Sequence, residues 1–174
     1  MRTISWGVIG AALLLVALSP AGRADGSSNS VSWATITGTF FIPATPPATG
    51  SVNTVGGIVG GGEPWSTLGG HAYVDLSSGT VDFAVYGLVL AGGNSIGTPG
   101  AVALVTGALV CAPGLATQTV TFTPQVTLSA QGNAEFHGSF GPLPAVCSPT
   151  NVVFLITTTA TPPHWLANGA VRVP

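Results

Sequence analysis

The sequence predicts an all-β protein, built as an antiparallel β-sandwich of about seven to nine strands, with a β-barrel as the alternative. Three observations support this fold class. Apolar and polar residues alternate with a period of two in segments that recur about every 12 residues. No segment after the N-terminus has the 3.6-residue period of an amphipathic helix. The 25 glycines and 14 prolines interrupt the chain often, as tight turns between short strands require.

The N-terminal segment has the order of a signal peptide. A basic residue, Arg2, precedes an apolar run from Ile4 to Leu18, and small residues follow it. We expect cleavage after Ala24, with cleavage after Ala21 as the alternative. The apolar run has about 15 residues, which is short for the roughly 20 that a membrane-spanning helix needs. The sequence therefore predicts a signal peptide at 1–24 and a secreted protein, either extracellular or periplasmic.

The remaining segment, 25–174, has a length that suits one domain with one core. Only 5% of the residues are charged, and the chain has no lysine. Arg172 is the one cation that would remain after cleavage. Nucleic acids and anionic lipids are bound by clustered Lys and Arg, so neither is an expected partner. A carbohydrate or an extracellular protein remains as the expected partner, and the oligomeric state stays open.

The two cysteines, Cys111 and Cys147, predict one disulfide. Export places them in an oxidising compartment, where an isolated pair of cysteines is usually bridged. A metal site based on cysteine would need a spacing such as Cys-x-x-Cys, which the chain lacks. Closing a loop of this length would stabilise the fold by about 3 to 4 kcal/mol.

The clearest alternating segment runs from Val120 to Ala130. Its proline, Pro124, has no amide proton, so the strand should lie at a sheet edge or carry a bulge there. A Gln-Gly-Asn turn follows and leads into the segment 134–140. The sequence predicts a hairpin between these two segments, with Leu128 opposite Phe136.

A second hairpin is predicted from residues 70–76 and 81–87, joined by the loop Ser77–Thr80. An even-length loop is required to match apolar residues to apolar residues across the two strands, with Leu76 opposite Val81. A slip of one residue would turn every side chain to the opposite face. The pattern therefore specifies which residues share the outer face of this hairpin.

On that outer face the register would pair Asp75 with Asp82 and His71 with Tyr86, with Tyr73 beside them. Two carboxylates directly opposite each other repel unless a cation, a proton or water intervenes. Calcium would suit such oxygen ligands, although two side chains do not fill its coordination shell. Aromatic rings beside carboxylates also favour a carbohydrate-binding surface. These five residues form the predicted ligand site, and a hydrated, exposed pair of carboxylates is the alternative.

The three histidines, His71, His137 and His164, suggest a second kind of site. With Glu135 on the same strand face as His137, they could provide zinc or copper ligands if the fold brought them together. They lie far apart in sequence, and their spacing does not require a shared metal. The alternative is that each histidine faces solvent or makes an ordinary hydrogen bond.

The segment Gly93–Gly97 matches the Gly-x-Ser-x-Gly pattern of a nucleophile elbow. That motif needs a helix after it, whereas Thr98-Pro99-Gly100 leads towards another strand. We therefore interpret it as a tight structural loop and assign no catalytic residue.

The remaining elements follow from composition. The run Val152–Ile156 is continuously apolar, which favours a central strand buried on both sides. The three tryptophans outside the signal peptide should pack in the core or anchor loops. Further strands are predicted at 31–41, 101–111, 151–159 and 169–173, and loops at 43–64 and 91–100.

Part of the sequence resembles small exported bacterial β-domain proteins of unassigned function. The similarity begins near residue 60 and depends on the motifs Gly61–Trp65, Gly87–Thr98 and Trp165–Gly169, together with the cysteine pair. Its most specific part is the Gly-Gly-Asn-x-Ile-Gly-Thr loop. The resemblance implies a signal peptide and a β domain with one disulfide, and it implies no activity, ligand or cofactor.

These observations favour a secreted, non-enzymatic β-sandwich that acts as a binding or surface module. No acid–base cluster marks an active site, and the strand faces are rich in hydroxyl groups with few charges. A metal-assisted extracellular enzyme that uses the histidines is one alternative. A structural protein of a cell surface or matrix is the other.

Overall fold

Regular structure in the described part of the chain consists of β-strands. A computed structural model describes residues 29–40 and 53–173. The predicted signal peptide and part of the predicted loop 43–64 lie outside the described residues. Within the described ranges, no helix is long and apolar enough to cross a membrane.

Fifteen short strands are present in the described ranges, and each spans two to eight residues. They are β1 (Ser30–Trp33), β2 (Ile36–Gly38), β3 (Thr54–Val55), β4 (Ile58–Gly60), β5 (Trp65–Ser66), β6 (Gly69–Asp75), β7 (Thr80–Tyr86), β8 (Val89–Leu90), β9 (Leu104–Cys111), β10 (Thr119–Phe122), β11 (Val126–Thr127), β12 (Ala134–Ser139), β13 (Val152–Thr158), β14 (His164–Gly169) and β15 (Arg172–Val173).

The strands form two main sheets that pack face to face. The first sheet has the order β12-β7-β6-β1-β15, and the second has the order β10-β9-β13-β14-β4-β3. Strand β11 also pairs with β9, β2 pairs with β14, and β5 and β8 form a small separate sheet. Among the strands of the described ranges, only the pairing of β14 with β4 is parallel. The predicted all-β fold with sandwich packing is confirmed.

An aromatic cluster fills the space between the two sheets. Phe83 of the first sheet lies 5.4 Å from Phe154 of the second, and Trp33 lies 5.8 Å from Phe154, measured between ring centroids. Gly107 on β9 makes this approach possible, because a Cβ there would lie 2.8 Å from the Phe83 ring. Trp33, Trp65 and Trp165 are all buried, as expected for core residues.

The apolar run Val152–Ile156 forms most of β13, the central strand of the second sheet. It pairs with β9 along its whole length on one side and with β14 from Leu155 on the other, so it is an interior strand. Four of its five residues are buried. The prediction of a central strand covered on both faces is confirmed.

The predicted hairpin of Val120–Ala130 with 134–140 is wrong. The chain does turn tightly between Ser129 and Asn133, but β10 and β11 pair with β9 in the second sheet, while β12 pairs with β7 in the first. The turn therefore carries the chain from one sheet to the other. The expectation for Pro124 is confirmed, since it separates β10 from β11 at the edge of the second sheet.

Three other predicted elements differ in detail. The segment 31–41 forms two strands, because the chain leaves the first sheet after β1 and enters the second at β2. The described part of the predicted loop 43–64 contains the small β3–β4 pair. The last predicted strand, 169–173, is the short β15, and β14 before it was not expected. The loop 91–100 is confirmed.

The predicted disulfide between Cys111 and Cys147 is present, with 4.8 Å between the two Cα atoms. Cys111 ends β9, whereas Cys147 lies in the loop that connects β12 of the first sheet to β13 of the second. Both cysteines belong to the buried core between the sheets. The bridge therefore attaches a crossing loop to a central strand, and it agrees with a non-cytoplasmic compartment.

Candidate functional site

The candidate site lies on the outer face of the first sheet, across β6, β7 and β12. Successive residues of a strand point to opposite faces. Ala72, Val74, Val81, Phe83 and Val85 point inward and are buried. The polar and aromatic side chains between them point outward, as the alternation predicted. We call this surface the polar face, and its members are His71, Tyr73, Asp82, Tyr86, Glu135 and His137.

The predicted register of the β6–β7 hairpin is wrong by two residues. Val74, and not Leu76, pairs with Val81. Leu76 lies outside the β6–β7 ladder because the amide of Gly79 donates to the carbonyl of Asp75, so the connecting turn begins earlier than expected. A slip of two residues preserves the faces but changes the neighbours, so Asp82 lies opposite Tyr73.

The expected pairs Asp75–Asp82 and His71–Tyr86 are therefore not formed. Asp75 instead closes the turn, since its Oδ1 accepts hydrogen bonds from the Ser77 amide at 2.8 Å and the Ser77 hydroxyl at 2.5 Å. These bonds hold the pKa of Asp75 below its usual value of 3.8. The carboxylate already has hydrogen-bond partners within its own turn, and the predicted calcium pair is absent.

Asp82 is the centre of the polar face. Its Oδ1 lies 3.1 Å from Nε2 of His71 on β6, and its Oδ2 contacts Nδ1 of His137 on β12. The two imidazoles thus hold the carboxylate from both sides. About a third of the Asp82 side chain remains exposed, against 52% for His71 and 74% for His137. The carboxylate is fixed in orientation and still accessible to a ligand.

The two tyrosines flank this cluster. Tyr73 pairs with Asp82 on one side and with Ser32 of β1 on the other, and its side chain is partly exposed. Tyr86 donates its hydroxyl hydrogen to Oε1 of Glu135 at 3.3 Å. Desolvation of the phenol and the negative charge of Glu135 raise the pKa of Tyr86 above 10.0. The face therefore combines two ring surfaces with two hydrogen-bonded carboxylates.

The structure does not bring the three histidines together. His71 and His137 meet at Asp82, but His164 begins β14 in the second sheet. Its Nδ1 is buried and makes no hydrogen bond. Glu135 is on the polar face, where it accepts from Tyr86. Among the described residues, no group of three or more His, Cys, Asp or Glu side chains could hold a metal ion. The predicted convergence on one metal is wrong.

The segment Gly93–Gly97 is a tight loop, as interpreted from the sequence. The amide of Gly97 donates to the carbonyl of Leu90, and the amide of Leu90 donates to the carbonyl of Thr98. No helix follows Ser95. The geometry of a nucleophile elbow is absent here.

Sequence reasoning missed a concave region at one end of the sandwich. Three clefts, with volumes of about 390, 350 and 200 Å³, have Thr158 in their walls. We call them together the Thr158 groove. The signal in the sequence was the threonine-rich stretch 157–161 followed by two prolines, which places hydroxyl groups in the β13–β14 connection.

Comparison with known proteins gives no relative: no family model, curated protein or solved structure matches the chain. Function is therefore inferred from the polar face and the groove themselves.

Proposed function

We propose that this protein is an exported, non-enzymatic binding module that recognises a carbohydrate through the polar face. The observation that carries the proposal is the arrangement around Asp82. Two imidazoles hold this accessible carboxylate beside the partly exposed ring of Tyr73. The sequence of the N-terminal segment and the disulfide support export.

The chemistry of the polar face suits a ligand with many hydroxyl groups. A carboxylate accepts hydrogen bonds from hydroxyls, and a charged acceptor makes these bonds stronger than a neutral one would. Asp82 and Glu135 each have unused acceptor capacity, since each is bonded at only one or two positions. Tyrosine rings offer apolar surface for the C–H faces of a sugar ring. Because the cluster is held before the ligand arrives, binding orders few additional side chains.

Charge argues against an anionic partner. The described ranges contain one arginine and no lysine. Arg172 lies over the Trp33 ring and donates to the carbonyls of Pro149 and Val152, so it is engaged elsewhere. The polar face itself carries Asp82 and Glu135. An uncharged polyhydroxylated ligand is the class that these groups favour.

The proposal can be tested by screening the secreted protein on a saccharide array and measuring hits by calorimetry. Asp82→Asn should weaken binding about tenfold or more, because a hydrogen bond to a charged group contributes about 1.5 to 3 kcal/mol. Tyr73→Ala should weaken it by a similar factor through loss of ring contact. Asn94→Ala and Leu115→Ala are the controls, since both residues are exposed and lie off the polar face and outside the Thr158 groove.

Two results would contradict the proposal. One is the absence of saturable binding by any saccharide at millimolar concentration. The other is equal affinity in the Asp82 and Asn94 variants. Circular dichroism of each variant distinguishes loss of binding from loss of fold.

A further inference from the structure

The Thr158 groove is independent of the polar face and has two chemically different arms. Thr158 belongs to all three clefts, and Thr159 and Ala160 join the two larger ones. Volumes of about 390 and 350 Å³ fall within the usual range for small-molecule sites. The smallest cleft, about 200 Å³, shares Val102 with the largest. A ligand seated at Thr158 could therefore reach into both arms.

One arm carries uncharged hydrogen-bonding groups. Gln125, Thr159 and Thr161 line it, and within the described ranges their side chains make no hydrogen bond to the protein. Phe122, whose side chain is 42% exposed, supplies a ring at the wall. Amide and hydroxyl groups both donate and accept, as do the hydroxyls of a sugar or glycerol. We call this the hydroxyl arm.

The other arm is apolar. Trp65, Leu90, Val102 and Leu166 form its walls. A cavity of about 150 Å³ with walls of this kind is enough to bind a benzene ring. His164 also lines this arm, and its Nδ1 is the buried nitrogen without a partner. Such a nitrogen leaves a hydrogen bond unmade, and a hydroxyl near Thr158 could supply it after rotation of the ring.

The charge of the groove selects against anions. Glu63 is the one carboxylate in its walls, and no lysine or arginine lines any of the three clefts. A ligand carboxylate in the apolar arm would meet the charge of Glu63 without a compensating cation. Uncharged ligands avoid this repulsion.

We propose that the Thr158 groove binds a neutral amphiphile, with a polyhydroxylated head in the hydroxyl arm and an alkyl or ring body in the apolar arm. Neither arm alone explains the whole groove. A hydrocarbon would leave the hydroxyl and amide groups without hydrogen bonds. A bare sugar would bury little apolar surface against Leu90 and Leu166. The shared chemistry covers both a free glycoside and the headgroup region of a neutral glycolipid.

The test uses octyl glucoside below its micelle concentration, with glucose and octanoate as matched probes. Binding is followed by calorimetry and by the ¹⁵N resonances of the His164 ring. Octyl glucoside should bind at least tenfold more tightly than either probe and should shift the His164 signal. Equal binding of octyl glucoside and octanoate, tight binding of glucose alone, or no binding of octyl glucoside would overturn the proposal.

Variants assign the two arms separately. Gln125→Ala should weaken the affinity for octyl glucoside about fivefold. The control variant Gln131→Ala, at an exposed glutamine outside the groove, should leave this affinity unchanged. Val102→Ser, in the apolar arm, should weaken octyl glucoside binding by a similar factor, against the exposed Val171→Ser as the control. Equal effects of a variant and its control would refute the assignment.

Two further measurements identify the source of the ligand and the surface that binds it. Vesicles with and without a neutral glycolipid distinguish a membrane headgroup from a free glycoside, once binding of octyl glucoside is established. In the protein labelled with ¹⁵N, octyl glucoside should shift the backbone amide signals of residues 158–161 and leave those of β6, β7 and β12 unchanged. Shifts confined to β6, β7 and β12 would show that the ligand sits on the polar face, and the groove proposal would then fail independently of the proposed function.

Discussion

Removal of the Cys111–Cys147 disulfide is expected to destabilise the protein by about 4 kcal/mol. The bridge closes a loop with a sequence separation of 36 residues. In the chain-entropy model, a loop of this length reduces the entropy of the unfolded chain by roughly 13 cal/mol/K, which is about 4 kcal/mol at 25 °C. For a domain of this size the melting temperature should fall by roughly 8 to 16 °C.

The assay compares thermal unfolding of three samples: the wild-type protein, the reduced wild-type protein, and the double variant Cys111→Ala, Cys147→Ala. Reduction and double substitution should give similar melting temperatures, because both remove the same cross-link. Each single variant should resemble the double variant. A fall of less than about 3 °C in all of them would refute the reasoning, since the crossing loop would then be held by its packing in the core.

Three other outcomes can be checked on the same material. Gly107→Ala should lower the free energy of unfolding by about 1 to 3 kcal/mol in urea titrations, because the added Cβ would press on the Phe83 ring; an unchanged midpoint would contradict this. The folded-state pKa of Asp75 lies below 3.8, so its contribution to stability is complete above that pH and is lost as the pH falls through the folded pKa. Asp75→Asn should therefore flatten the acid limb of a stability-against-pH curve, and an unaltered limb would count against the turn described here. Glu135→Gln should lower the pKa of Tyr86 towards 10.0 in a spectrophotometric titration, because it removes the neighbouring negative charge; a value that stays in place would assign the raised pKa to desolvation alone.

The faces of the strands were predictable because the side-chain period of a strand is two. The alternation in 70–76 and 81–87 placed His71, Tyr73 and Asp82 on one outer face, and the structure agrees. The register was less well determined. A shift of two residues keeps every apolar residue inside, so the pattern could not reveal that the amide of Gly79 closes the turn on the carbonyl of Asp75.

Sheet membership was the harder problem. The segment Val120–Ala130 and the segment 134–140 alternate equally well, and a tight turn joins them, so a hairpin was the simplest prediction. The turn instead crosses between sheets. Which strand pairs with β12 is decided by packing of Phe136 on Phe83, with ring centroids 5.8 Å apart, and this contact spans 53 residues of chain. The alternation of apolar and polar residues within a segment does not predict contacts between residues so far apart in sequence.

Sequence reasoning missed two features for the same reason: the contact of His137 with Asp82 on the polar face, and the Thr158 groove. His137 reaches Asp82 because β12 pairs with β7, and the sequence did not predict this pairing. The Thr158 groove is formed by strands and loops from distant parts of the chain, and the threonine-rich stretch 157–161 does not by itself show that these parts meet. Alternation identifies a surface within one hairpin, whereas a concavity requires the complete fold.

The position of β12 at the border of the first sheet has a consequence for solubility. A border strand exposes backbone groups that another chain could join, and charged side chains on such a strand discourage this. This protein has very few charges, yet one of them, Glu135, lies on β12. A residue proposed to meet a ligand would then also keep copies of the protein from stacking edge to edge. Neutralising Glu135 would promote aggregation as well as change affinity.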